Sequence, residues 1–407
     1  MRPRPALALA LAAALAHPAA APVSSAGVAA ARTSWALTAA LAGSSCGWQA
    51  AAQRLARDLP VPHPTSPTPA AGDAVDPRVA AVRAALRAAG ITAGSTPAPG
   101  CGAPAAASVA AATSAPVVAL VSAAGASIDV GSSAQLQQAI AAARPGDTIR
   151  LAPGRYTPVV IAGRSGTAAA PITLTGPREA VIDGGSATGG YALHLQGASF
   201  WQLSGFTVTG GGKGVVVDHG QHNLLDGLDI GRTGDEAVHL RANSSDNTLQ
   251  RSTVHDTGLF QPGFGEGVYL GSARSNWPSV SAGRPDLSMR NRVVANTFAA
   301  ITAENVDVKE ATSGALITGN RFDGSAISGV NYADSVVDVK GYDNTVTDNI
   351  TTGTSPALRT IITTHVITTP ATSGCGNTIT GNTAAGALPP GGLVAVDPKC
   401  AATGGQG

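Results

Sequence analysis

From Ile128 to about Cys400 the apolar residues recur in short alternating runs, each bounded by Gly, Asn or Asp. One run returns as ALHL (192–195), GVVV (214–217), AVHL (237–240), GVYL (267–270), NVDV (305–308) and VVDV (336–339). Its last residue advances by 22, 23, 30, 38 and 31 positions. A second run returns as WQLSGFTV, NLLDGLDI, NTLQRSTV, NRVVANTF, ALITGNRF, NTVTDNIT and NTITGNTA, with Leu203, Leu225, Leu249, Val293, Ile317, Val346 and Ile379 at its third position. A period near 22 carrying two strands predicts an all-β parallel solenoid, because one coil cannot bury its own apolar face and coils stacked ~4.8 Å apart can. Asn296, Asn320, Asn349 and Asn382 share one column of the second run and are expected to bond to one another up the stack. The longer spacings mark loops inserted into a fixed coil, the largest running over 271–289. Residues Ala134 to Ile149 begin as a short amphipathic helix, expected to plug one open end, and lead through a Pro-Gly-Asp turn to the first strand.

The text before this region is different. Arg2 and Arg4 precede an apolar run, Ala6 to Ala16, and then small residues. That order predicts an export signal over 1–26, since the run is too short to cross a bilayer, which takes about 20 residues. Residues 27–126 are rich in Ala, Pro, Ser and Thr. One helix is expected from Asp76 and Pro77 to Gly90, with Val79, Val82 and Leu86 on one face, and a second from Trp48 to Leu59. The expected organisation is therefore a signal (1–26), a partly helical extension (27–126), the solenoid (127–402) and a short tail (403–407). Four cysteines in an exported chain read as disulfides. Of three possible connectivities, neighbourhood favours Cys46–Cys101 and Cys375–Cys400, and no CxxC spacing suggests zinc.

Charge narrows the function. Only 13% of the 407 residues are charged and the formal net charge is +1, which leaves no basic excess for nucleic-acid binding. Part of that charge falls in columns on one face. Side chains alternate across a strand, and the last and third-last positions of the first run are apolar in every coil, so the positions between and after them point outward. These form two columns: His194, Val216, His239, Tyr269, Asp307, Asp338, and Gln196, Asp218, Arg241, Gly271, Lys309, Lys340. Four residues before the last strand position lies a third column of Glu236, Glu266, Glu304 and Ser335. Register would stack Asp307 on Asp338 and Lys309 on Lys340. Either each Asp pairs with a Lys along its own strand or diagonally as a solvated charge lattice, or the like charges serve a ligand, since a purely structural surface more easily sets opposite signs across from each other. His239, Arg241, Tyr269, Asp307 and Asp338 are the expected contacts for an anionic sugar chain, beneath the 271–289 insertion. Stacked Glu236, Glu266 and Glu304 would repel unless bonded to turn amides, protonated or bridged by calcium, which takes carboxylate oxygens. His219, His222, His239 and His255 have no metal-like spacing.

With this coil pattern the sequence resembles the right-handed parallel β-helix proteins, the pectin-lyase-like superfamily, over Ile128 to about Cys400. The tract ENVDVK resembles the site of chondroitinase B and related alginate lyases, in which a lysine lies five residues after a calcium-binding glutamate and a basic residue on the next coil completes the site. The resemblance implies Lys309 as base and Lys340 as its next-coil partner, a position where that family usually has arginine. It also implies Ca2+ as a possible cofactor on Glu236, Glu266 and Glu304. The function expected is a secreted, monomeric lyase that breaks a uronic-acid polysaccharide by β-elimination. Two other classes remain open: a non-catalytic carbohydrate-binding β-helix, and a glycoside hydrolase using Asp235, Glu236 or Glu266, with Asp334 as a further acid.

Overall fold

The computed structural model describes residues 117–120, 125–367 and 374–401. The export signal, the two N-terminal helices and the Cys46–Cys101 pairing lie outside those residues. No helix among the described residues is long and apolar enough to cross a membrane.

Three parallel sheets of ten, nine and nine strands stack along one axis as a right-handed β-helix. Each coil contributes three strands, one more than the sequence pattern suggested. The second run is two strands joined by a bend: WQLSGFTV forms Trp201–Ser204 and Thr207–Thr209. The bend residue takes a left-handed conformation in coil after coil, at Gly205, Gly227, Arg251, Ala295, Gly319, Asp348 and Gly381. Side-chain alternation runs on through it, so hydrophobicity alone gives no sign of a break.

The residue after the bend explains the asparagine column. Asn320 Oδ1 accepts from Asn296 N (2.9 Å) and Nδ2 (3.1 Å), while its own Nδ2 donates to Val293 O and to Asn349 Oδ1, both at 2.9 Å. Asn349 repeats the pattern on Asn382. Each amide thus satisfies backbone groups that the bend leaves without a sheet partner. A second ladder, not read from the pattern, runs through Asn223, Asn247 and Asn291, and through Asn344 and Asn377, at the entry to the ten-stranded sheet.

Inside the coils one apolar core extends from Val130 to Ile362. Its N-terminal end is covered by a helix, α1, spanning Ser133–Ala142, whose N-cap Ser132 accepts from Gln135 N and which buries Leu136, Ala139 and Ile140. The expected Ala134–Ile149 plug is therefore shorter. Pro145 lacks an N–H and ends the helical stretch, and Thr148–Leu151 joins the sheet instead. At the other end the Cys375–Cys400 disulfide forms, as neighbourhood suggested, and ties the last coil to a short C-terminal helix, Pro398–Ala401.

Candidate active site

The first recurring run becomes a nine-stranded sheet, and its outer surface carries the charged columns. Register places Val216, His239, Tyr269, Asp307 and Asp338 in one line. A cleft of about 880 Å³ lies over this surface. Residues from seven successive coils line it, from Lys213 to Lys399. Six inter-strand steps of ~4.8 Å make that roughly 29 Å.

Two sets of loops form the walls. On one side stands the 271–289 insertion, which overhangs the sheet as the sequence suggested and contributes Ser272, Asn276 and Val280. It is pinned by buried Asp286, whose carboxylate accepts from Ala242 N, Asn243 N, Ser272 Oγ and Ser288 Oγ at 2.7–2.9 Å. Trp277 is buried beneath it and donates to Ser272 O at 3.0 Å. The opposite wall comprises Phe264 and the 329–334 loop, joined by a hydrogen bond from Asn331 Nδ2 to Gly263 O of 3.0 Å.

The floor is less exposed than an outward column implies. His239, Tyr269, Asp307 and Asp338 are all buried, because both walls and their long neighbours cover them. The anticipated clash of stacked like charges is resolved diagonally. Lys309 Nζ reaches Asp307 Oδ2 at 2.6 Å and lies 4.8 Å from the centre of the Tyr269 ring. Lys340 Nζ contacts Asp307 Oδ1 at 3.1 Å and also pairs with Asp338. His365 Nδ1 meets the other Asp338 oxygen at 2.9 Å. Burial alone would pull both lysines down. The charge of Asp307 outweighs it, aided by Glu266 at Lys309 and by Asp338 at both, so both are held above the ordinary lysine range. The Tyr269 phenol is pushed well above its usual value by burial and by the Asp307 charge.

The glutamate column divides. Glu236 pairs with Lys213 and lies 3.3 Å from His239 Nδ1. Burial favours its neutral form, yet these neighbours bring it down to about 2. Glu266 and Glu304 feel the two lysines only at a distance, with no such ion pair. Burial pushes Glu266 well above the carboxylate range, with Glu236, Glu304 and Asp307 adding to it, and raises Glu304 to about 8 with help from Asp307. The group that geometry brings together is Glu266, Glu304 and Asp307, one oxygen of each within 4.8 Å of the others. Asp307 thus takes the place expected for Glu236, which Lys213 already neutralises. Among the described residues Glu266 Oε2 is buried with no hydrogen-bond partner. Three hard oxygen donors, one unsatisfied, suit a calcium ion.

Arg241 reaches the same cleft from the preceding coils. Asp218 grips it through Nε (2.7 Å) and Nη2 (3.2 Å), Tyr191 OH accepts from it at 3.0 Å, and His194 bonds Asp218 at 2.9 Å. Asp235 lines no part of the floor. It lies 3.9 Å from Lys213 and is raised chiefly by burial. Lys213 and His365 escaped the sequence reading, although columns point to both. Lys213 stands four residues before Val217, one coil above Glu236 in the glutamate column, and His365 follows Lys340 in the basic column.

Residues 120–260 match the family described as Pel9A-like, right handed beta helix region. No curated protein sequence matches the chain. Among solved structures the chain is similar to an alginate lyase from Paenibacillus sp. str. FPU-7, with 36% identity over 65% of this chain and 89% of that one, at a TM-score of 0.60. Pectate lyase Pel9A aligns at 15% identity over 64% of this chain and 71% of its own, with a TM-score of 0.45. The Bacillus sp. N165 pectate lyase Bsp165PelA, in complex with trigalacturonate, aligns at 14% identity over 65% and 83%, with a TM-score of 0.44.

Proposed function

Since the chain belongs to the family of right-handed β-helix polysaccharide lyases that includes the Paenibacillus alginate lyase, we propose that it cleaves a uronic-acid polymer by β-elimination, with alginate the first candidate substrate. The observation that carries this reading is the pair Lys309 and Lys340, side by side on adjacent coils and clamped by one aspartate in the floor of a long cleft.

Elimination needs three things: a neutralised substrate carboxylate, a base for the proton on the adjacent carbon, and a proton for the leaving oxygen. Arg241, fixed by Asp218, is the cation placed to meet a uronate carboxylate. Lys309 is the base. In the resting site it is charged and acts in the fraction that has given its proton to solvent, a loss that the Asp307 charge opposes. Calcium on Glu266, Glu304 and Asp307 would offset that charge and polarise a substrate carboxylate. Neutral Lys309 takes the proton next to the carboxyl, the electron pair forms the carbon–carbon double bond, and the glycosidic carbon–oxygen bond breaks. Lys340, which Asp307 and Asp338 keep protonated, returns a proton to the leaving oxygen. An exported protein is the natural setting, because the Cys375–Cys400 bond persists where thiols are oxidised.

The test is a screen of alginate, pectate, glucuronan and glycosaminoglycans for unsaturated uronate, with wild type and Lys309→Ala. Wild type should form the chromophore on one of them, and Lys309→Ala should not, while still melting cooperatively as a folded protein. Retained activity in that variant removes Lys309 as base. Reducing ends without a double bond move the chemistry to hydrolysis, with Glu236 and Glu266 the acids that line the cleft.

A further inference from the structure

The cleft has a side chamber. A second cavity, of about 350 Å³, opens beyond the 329–334 loop and is lined by Gly329, Asn331, Tyr332, Asp334, Ala357 and Arg359. Asn331, Tyr332 and Asp334 line both cavities, so this loop is the partition between them. Nothing in the elimination scheme uses it.

Three features of the chamber bear on a ligand. Tyr332 is 89% exposed, although it stands at the mouth of both cavities. Asn331 and Tyr332 are consecutive non-glycine residues in left-handed conformations (φ 56° and 66°), which a side chain with a Cβ disfavours. The arrangement is held, not loose: Gly329 N bonds Ala333 O at 2.9 Å, Val330 N bonds Ser328 Oγ at 3.2 Å, and Asn331 is tied to Gly263. Finally, among the described residues the exposed Arg359 makes no side-chain hydrogen bond or ion pair, and its neighbour Asp334 feels its charge only at a distance. An exposed aromatic face on a held loop, an uncommitted guanidinium and an amide at the edge of a polar cavity suit a pyranose ring bearing a carboxylate.

We propose that the chamber is a second saccharide site, lateral to the axial cleft, in which Tyr332 stacks on a uronate ring and Arg359 pairs with its carboxylate. This rests on the uronate-polymer reading for the identity of the ligand, but not on Lys309 as base. The polymer would then be held beside the floor as well as along it.

The experiment measures calorimetric binding of alginate and pectate pentasaccharides to Lys309→Ala protein, alone and combined with Tyr332→Ala, Tyr332→Phe, Arg359→Ala or Arg359→Lys. All four added changes are at exposed positions, and equal melting temperatures check the fold. For whichever oligosaccharide binds, Arg359→Ala should raise Kd about tenfold or more, as for loss of a charge-assisted contact. Tyr332→Ala should raise it several-fold. Tyr332→Phe should restore binding, since stacking needs the ring and not the hydroxyl, and Arg359→Lys should recover part of it. Equal affinities throughout, or a Phe variant as weak as the Ala variant, or no binding of either oligosaccharide, overturn the proposal. Binding that follows this pattern, with a wild type that forms no unsaturated product from any of the polymers, would instead refute the lyase assignment alone.

Discussion

Asp307→Asn isolates the element on which the floor of the cleft depends. The carboxylate is 2% exposed and is the shared partner of Lys309 and Lys340. The amide keeps the shape and removes the charge. Stripping one partner from a buried ion pair costs about 3–5 kcal/mol when nothing replaces it. Here two groups do. Lys340 keeps Asp338, and Glu304, held at about 8 by burial and by the Asp307 charge, falls toward the ordinary range and ionises once that charge is gone. The expected net loss at pH 7 is therefore about 2 kcal/mol. For a solenoid of this size each kcal/mol moves Tm by about 2 °C, so the variant should melt about 4 °C lower. The compensation carries a signature. At pH 5 Glu304 is protonated again and can no longer replace Asp307, so the gap should widen toward the uncompensated cost. Melts of both proteins at pH 8, 7 and 5, by circular dichroism or calorimetry, check this. A gap that is absent, or constant across the series, would refute the picture of Glu304 and Asp307 as alternative counter-ions for the two lysines.

Further outcomes follow from the same geometry. If calcium binds Glu266, Glu304 and Asp307, a hundredfold excess over Kd adds about 2.7 kcal/mol, so a chelator should lower Tm by a few degrees and Glu304→Gln should shrink that shift. A melt indifferent to chelator leaves the Asp307 charge at Lys309 without that offset. Asn320→Ala removes four buried hydrogen bonds at one rung and should cost about 3–5 kcal/mol, read as a fall in Tm of about 6–10 °C; a change under 2 °C means the ladder is ornamental. Asp218 is opposed by burial but held below the ordinary carboxylate range by His194 and Arg241. Its stabilisation is thus full above the unfolded value of about 3.9 and is lost as pH falls. Asp218→Asn should melt below wild type at pH 7, and the difference should narrow at pH 3.

The coil was readable because its period is written in residues that face inward. Leu195, Val217, Leu240, Leu270, Val308 and Val339 must be apolar wherever the loops fall. The third strand was not readable. Arg251, Ala295 and Asp348 take a left-handed bend with no glycine to announce it, and the alternation of side chains passes through unbroken. The columns gave Lys309, Lys340 and the three glutamates, because adjacent strands in register place equal positions together. They stopped one coil short at each end. His365 was hidden because its strand, TIITT, closes on Thr364 where earlier coils have Val or Leu, and Lys213 because a basic residue heads an acidic column. What sign each charge bears on its neighbours depends on side-chain reach across coils, which one-dimensional spacing does not contain. The side chamber depends on a loop, 329–334, whose residues carry no period at all.

The two covered ends have a consequence for how the molecule behaves among copies of itself. A parallel stack terminates in rows of unpaired backbone donors and acceptors, and any similar row is a template for them. Every coil here offers nearly the same surface to the next, so an uncovered last coil would accept the first coil of another molecule as readily as its own. Growth would run head to tail without closing, into fibres. The α1 helix at one end and the Cys375–Cys400 tether at the other are the stops on that process. Reduction of the Cys375–Cys400 bond frees only one end while α1 still covers the other, so it is expected to show itself as paired molecules, and fibres only when α1 is removed as well.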